Sequence, residues 1–258
     1  MLREIKDGYV KTERHNGVLT VEFHHPQGNS LPGSLLEALT HEIHSAGHHD
    51  HDTRVIVLRS AGERAFCAGA SFDELRAIET AEQGLQFFSG FAHLINEMRK
   101  CPKFVIARVQ GKCVGGGVGI AAAADYTIAS EGADVKLSEL AIGIGPFVVG
   151  PAVERKIGLA NFSSLAIDST MWRDAEWARR RGLYAELHGN SVGMDESIIR
   201  LANQLAHSSP EAMALLKQAL WKGTEHWDQL LLERAAMSGR LILTPAARQA
   251  LSKIKGAR

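Results

Sequence analysis

The chain has 258 residues, 45% of them hydrophobic and 22% charged, enough material for a real core in one domain plus an appendage. Lys+Arg and Asp+Glu both number 29, so there is no bulk positive field to draw the chain to nucleic acid or to an anionic membrane. Cys67, Cys101 and Cys113 follow no CxxC spacing, which excludes a zinc ribbon and a disulfide framework. The charged N-terminus and the lack of a run of about 18 apolar residues argue against a signal peptide or a membrane span, and the expected location is cytoplasmic.

In chain order, Val10–Glu13 and Val18–His24 alternate apolar and polar residues around Asn16-Gly17, which predicts an opening β-hairpin. Leu31, Leu35, Leu36, Leu39 and Ile43 fall at helical spacing across 31–44, and Val55-Ile56-Val57-Leu58 predicts a strand. A helical segment near 77–98, a strand at 104–109, a glycine cluster, a helix at 118–124 and a strand at 126–129 repeat the logic. Alternating strands and helices predict an α/β fold with buried sheets. Past Ser191 only helical patterns remain, at 196–207, 210–223 and 227–241, the second opened by Ser209-Pro210. Their apolar faces predict packing against further copies of the chain. No fixed-period repeat or low-complexity tract is visible.

Two segments carry the chemistry. In Arg64–Leu75, small residues Ala68, Gly69 and Ala70 lie between a strand and a helix, where a ligand can approach the backbone and helix-start amides are free. Taken alone, the segment reads better as a tight strand-to-helix turn packed with small residues. In Val109–Ile120, Gly115-Gly116-Gly117 opens an Ala-rich helix and presents bare amides with the positive end of its dipole. Its spacing fits neither GxGxxG nor GxxxxGK[ST], which removes a nucleotide-phosphate reading. Together the two loops can aim two N–H groups at one carbonyl oxygen, each worth about 10²–10³ in rate.

With both loops in place the sequence resembles the crotonase superfamily, the enoyl-CoA hydratase/isomerase family, over nearly its whole length. The resemblance rests on the opening hairpin, His25-Pro26-Gln27-Gly28-Asn29-Ser30-Leu31, AFCAGASFDEL, VGGGVG, Ser138–Pro146 and SSPEAMALLKQAL in that order. It implies a ClpP/crotonase-like spiral of repeated ββα units over about 1–192, with the acyl-CoA site, and a helical trimerisation region at 193–258. It also implies that the amides of Ala70 and Gly116 form an oxyanion hole, that backbone carbonyls of Ala68 and Phe72 hold the adenine amine, and that Glu139 is the catalytic carboxylate. The family's usual Asp is Ser71 here. Coenzyme A enters as part of the substrate, no metal or redox cofactor is implied, and the expected assembly is a homotrimer or homohexamer. Arg64 and Arg76 are candidates for the CoA phosphates.

Glu139 lies in a locally apolar run, where burial raises a carboxyl pKa toward neutrality. The plainer alternative is an ion-paired surface carboxylate, with Lys136 or Arg155 as partner. Gly119 stands where hydratases of the family carry their first glutamate, so one of the two acids that activate water is missing. One carboxylate suffices to carry a proton between C2 and C4 of an enoyl thioester, which moves isomerisation ahead of hydration. Hydration through another group, acyl-CoA decarboxylation or hydrolysis, and non-catalytic acyl-CoA binding remain as alternatives. The histidines of HEIHSAGHHDHDT include an i,i+4 pair, His44 and His48, able to chelate a metal on a continuing helix. Gly47 and the following Asp residues predict that the helix ends there, and the segment is expected to be a solvated loop without a role.

Overall fold

The computed structural model describes residues 1–253. It opens on an antiparallel meander of β1 (Leu2–Ile5), β2 (Gly8–His15) and β3 (Val18–His24). Asn16 and Gly17 adopt positive φ at the β2–β3 turn, a conformation that glycine takes freely for want of a Cβ and that asparagine tolerates better than most residues. Helix α1 (Gly33–His48) crosses to β4 (Val55–Ser60), which lies parallel to β3.

From there each repeat lays one strand in each of two sheets. After β4 comes β5 (Ala65–Cys67), then α2 (Phe72–Ala77) and α3 (Ala81–Lys100). After β6 (Phe104–Val109) come β7 (Lys112–Val114) and α4 (Gly116–Ala123). After β8 (Tyr126–Ser130) come β9 (Val135–Lys136), a 3-10 turn at Leu140–Ile142, α5 (Gly150–Ile167) and α6 (Ala175–Arg180), and β10 (Glu186–His188) closes the series. The large sheet runs β1-β2-β3-β4-β6-β8-β10 and the small one β5-β7-β9, with every small-sheet pairing parallel. This is the ββα spiral that the resemblance implied.

Two helix expectations change in detail. The helix expected near 77–98 is α3 and begins only at Ala81, because Ile78 takes an extended conformation and Thr80 with Gln83 forms a capping box that starts α3 afresh after the separate α2. The expected end of α1 before Gly47 is incorrect: the helix continues through His48. A Cβ on Gly47 would stand 3.1 Å from Cys101 Sγ, so this glycine answers to the chain packed against it rather than to helix termination.

The last helices are α7 (Ser191–Ala206), α8 (Pro210–Leu220), α9 (Trp227–Leu241) and α10 (Pro245–Lys253). They cover their own chain. Met194, Ile198, Ala202 and Met213 pack on Val55, Val57, Ile106 and Ile128 of the large sheet. Helix α9 lies on α3, where a Cβ on Gly239 would come within 2.6 Å of the Leu85 nitrogen.

Helix α8 is locked by a buried charge pair. Lys217 Nζ lies 2.7 Å from Asp125 Oδ2 and donates to the Lys103 carbonyl, while Asp125 also accepts from Trp221 Nε1 and Val105 N–H. Both side chains are about 5% exposed or less, so neither can turn to water. Lys217→Met strands the carboxylate and is expected to cost about 3–5 kcal/mol in urea unfolding. Adding Asp125→Asn should recover a large part of that loss; an unrecovered double variant would mean packing, not charge, is at stake.

Candidate active site

Strands β5, β7 and β9 are hydrogen-bonded neighbours that run the same way. Three segments therefore leave the same edge side by side: Ala68–Ser71 after β5, Gly115–Gly116 after β7, and Ser138-Glu139 after β9. Parallel strands lie about 4.8 Å apart, so all three meet within roughly 10 Å. Ala68, Ala70, Phe72, Gly116 and Glu139 all line one pocket.

The first loop is strapped to the segment before α1. Leu31 N–H donates to the Gly69 carbonyl at 2.8 Å, Ser71 N–H to the Leu31 carbonyl at 3.2 Å, and Ala68 N–H to the Gly28 carbonyl at 3.0 Å. This ladder straddles Ala70. Among the described residues no hydrogen bond uses the Ala70 amide or ends on the Ala68 carbonyl. Ser71 caps α2 by accepting from Glu74 N–H, so the residue standing in place of an aspartate has a structural task of its own. Phe72 is the first residue of α2, and its carbonyl points along the helix rather than out of the loop.

Asn29 has no evident role in the sequence motif, and the structure supplies one. Buried and at positive φ, it donates to the carbonyls of Ala61 and Ala65 at 2.8 and 2.9 Å and accepts from His25 N–H. It thereby fixes the strap to the β4–β5 connection.

The second loop turns at Gly115, with φ 51° and ψ −116°, a conformation closed to most side chains. Gly115 N–H donates to the Lys136 carbonyl, and Val118 and Gly119 N–H both reach back to Gly115. The Gly116 amide, at the positive end of α4, takes part in none of these bonds. A Cβ on Gly69 would stand 3.9 Å from the Gly116 nitrogen, which brings the two loops into contact. Phe91 of α3 packs where a Gly116 side chain would be, 2.2 Å from its Cβ position.

Glu139 faces this crossing: its Oε1 lies 2.9 Å from the position a Gly115 Cβ would occupy. Part of the residue reaches the surface, but Oε2 is sealed and has no hydrogen-bond partner among the described residues. Burial pushes the carboxyl up to about 7. Neither expected ion partner is there. Lys136 stacks on Trp172 at 4.5 Å, and Arg155 donates to the Leu220 carbonyl.

Gly119 is not merely a residue without a side chain. Val149, at the start of α5, fills the space in front of it, with Cγ1 2.4 Å from where a Cβ would begin. Sequence reading missed Val149 because it lies thirty positions beyond Gly119 and carries no chemical signal. The rest of the wall is apolar, including Leu75, Phe88, Phe91, Ile142 and Phe147; Ser138, Glu139 and Ser238 are its polar side chains, and no Lys or Arg lines it. Cys67 lies behind the second loop, but burial holds its thiol up at about 12, so it offers no thiolate.

Two free amides and one high-pKa acid in an apolar cavity are a set able to hold charge on an oxygen and move a proton beside it. The enoyl-CoA hydratase/isomerase family model matches residues 13–246. The chain belongs to that family. Its relatives include the mitochondrial methylglutaconyl-CoA hydratase of Rattus norvegicus, 31% identical over 83% of this chain and 68% of that one. The short-chain-enoyl-CoA hydratase of Clostridium acetobutylicum is 30% identical over 84% and 82%. The crystal structure of enoyl-CoA hydratase from Bacillus halodurans superposes with a TM-score of 0.87 over 95% of this chain and 99% of that chain at 23% identity, a likeness of fold. That from Bacillus anthracis gives 0.77 over 89% and 90% at 28% identity. The protein is thus an enzyme of the enoyl-CoA hydratase/isomerase type with the crotonase fold, and among its described residues no helix is long and apolar enough to cross a membrane.

The raised Glu139 pKa has a stability consequence. A carboxyl that binds its proton more tightly when folded stabilises the fold below about 4.5 and loses that contribution as pH climbs through about 7. Glu139→Gln carries no such penalty, so it should exceed the parent by roughly 3 kcal/mol above pH 8 and lose the advantage below pH 5. Chemical unfolding at both pH values checks this; a pH-independent difference would place the carboxyl in water.

Proposed function

We propose that this enzyme binds an acyl-CoA thioester, holds its enolate oxygen on the Ala70 and Gly116 amides, and shifts a double bond with Glu139 as the single acid–base group. Glu139 takes the C2 proton of a 3-enoyl thioester, the charge spreads onto the thioester oxygen as a dienolate, and the new carboxylic acid returns a proton to C4. The product is the conjugated 2-enoyl thioester. The Ala68 carbonyl would accept the adenine amine, with Phe72 serving through its ring in the acyl wall, and exposed Arg64 is available to the phosphates.

The observation that carries this reading over hydration is Val149. A water held between two acids needs the second acid, and here an isopropyl group occupies its approach. The lining also favours an uncharged acyl group, because a free carboxylate would find no Lys or Arg among the lining residues. That weighs against the charged acyl group named for the rat relative and against decarboxylation of a malonyl-type thioester. Trimers or hexamers belong to the same proposal, with residues 193–258 as the assembly region and the exposed Leu215, Leu216 and Leu220 of α8 as the surface that would meet another copy.

Turnover of a short unsubstituted 3-enoyl-CoA, followed by the conjugated thioester absorbance, should fall about 10²–10⁴-fold in Glu139→Gln while CoA affinity persists. Binding without turnover of any acyl-CoA would favour a non-catalytic binding protein instead. Because the base form is needed, kcat/KM should rise with pH through an inflection near 7, the value burial gives Glu139. Hydration of 2-enoyl-CoA should be the slower reaction. Gly119→Glu with Val149→Gly, which restores an acid and the space for it, should raise hydration relative to isomerisation; Gly119→Glu alone should mainly destabilise, by about 1–3 kcal/mol or more.

A further inference from the structure

The continuation of α1 through His48 changes the meaning of the histidine-rich segment. His44 and His48 now sit one helical turn apart on one face, the spacing at which two imidazoles can share an ion. Glu97 of α3 meets them there. Its Oε1 lies 3.2 Å from His44 Nδ1 and 3.6 Å from His48 Nε2, and one ligand atom from each of the three residues falls within 4.8 Å of the others. Ligands about 2.0–2.1 Å from a tetrahedral ion stand roughly 3.3 Å apart, so the carboxylate-to-imidazole distances already match a shared ion. The Glu97 side chain is only 14% exposed, which limits its freedom to swing away, whereas the two histidines remain open to solvent at 49% and 43%. The His44 ring also packs on His48 and His49, holding it over the helix end.

We propose that His44, His48 and Glu97 form a three-ligand site for one divalent transition ion, with zinc as the reference occupant and water in the fourth position. Two imidazoles and a carboxylate suit zinc and its neighbours rather than calcium or magnesium, which prefer all-oxygen shells. The ion would pin α1 to the last turns of α3. The same helix carries Phe88 and Phe91 into the acyl pocket, so the site acts as a clamp on a pocket wall and takes no part in the reaction. The proposal does not rest on the acyl-CoA reading.

The test uses the intact chain, stripped with chelator and titrated with Zn²⁺ alone, and separately with Co²⁺ for its visible absorption. One ion per chain is expected, with four-coordinate Co²⁺ bands, and a Tm rise of about 5–10 °C at free Zn²⁺ a hundredfold above Kd. His48→Gln and Glu97→Gln should each weaken binding about tenfold or more, whereas His49→Gln with His51→Gln should leave it intact. The metal-free melting of each variant reports whether it folds, and the Co²⁺ spectrum of the unmodified chain stands even if one does not. Unchanged binding in Glu97→Gln, equal loss in the His49/His51 variant, or more than one ion per chain would mean surface chelation by the histidine-rich segment and would overturn the site.

Discussion

The active site depends on the register of a sheet only three strands wide. Cys67 pairs with Cys113, Cys113 with Val135, and Val114 with Lys136, so the chain leaves β5, β7 and β9 at nearly the same level. The loop beyond each strand supplies one part of the proposed site: the Ala70 amide, the Gly116 amide and the Glu139 carboxyl. A slip of one residue would turn side chains to the opposite face and move one part out of line with the others. The carboxyl ends of parallel strands are where open α/β sheets bring loops together, and here the smaller of the two sheets has that task.

Convergence of three backbones leaves little space for side chains, and the glycines show where it is shortest. Gly115 would strike Glu139, Gly116 would strike Phe91, Gly117 would strike Cys67 and Gly119 would strike Val149. Each hydrogen in place of a Cβ admits a different neighbour. The cluster is therefore less a flexible loop than a packed intersection, with positive φ needed only at Gly115 among these four. Glu139 holds its place there with a sealed oxygen that has no partner among the described residues. Such a group is costly to the fold and useful to proton transfer for the same reason, since low polarity around it brings its pKa near 7.

The five central strands of the large sheet and most of the helices were legible from apolar runs or clear periods, whereas its outer strands β1 and β10 were not. Val55–Ser60 and Phe104–Val109 are buried strands of this kind, and α9 begins and ends where its pattern predicted. The small sheet left no such trace. Its strands have three, three and two residues, too few to display a period, and their pairing is set by backbone bonds between segments some twenty to fifty residues apart. Gly47 misled for a related reason: a glycine inside a helix reads as a stop unless the chain pressed against it, here Cys101, is known.

Residue type and order by themselves determined the α/β class, the family resemblance, the two glycine-bearing loops and the acidic residue proposed for the chemistry. Through that resemblance they also implied that the position of a second acid is held by glycine. Tertiary structure alone decided that Val149 occupies the space beside Gly119, that neither Lys136 nor Arg155 pairs with Glu139, and that Glu97 joins two histidines of α1. The difference is physical. Backbone conformation and hydrophobic period are local properties that neighbouring residues carry, whereas the filling of a space or the pairing of a charge depends on which distant segment packing delivers to it.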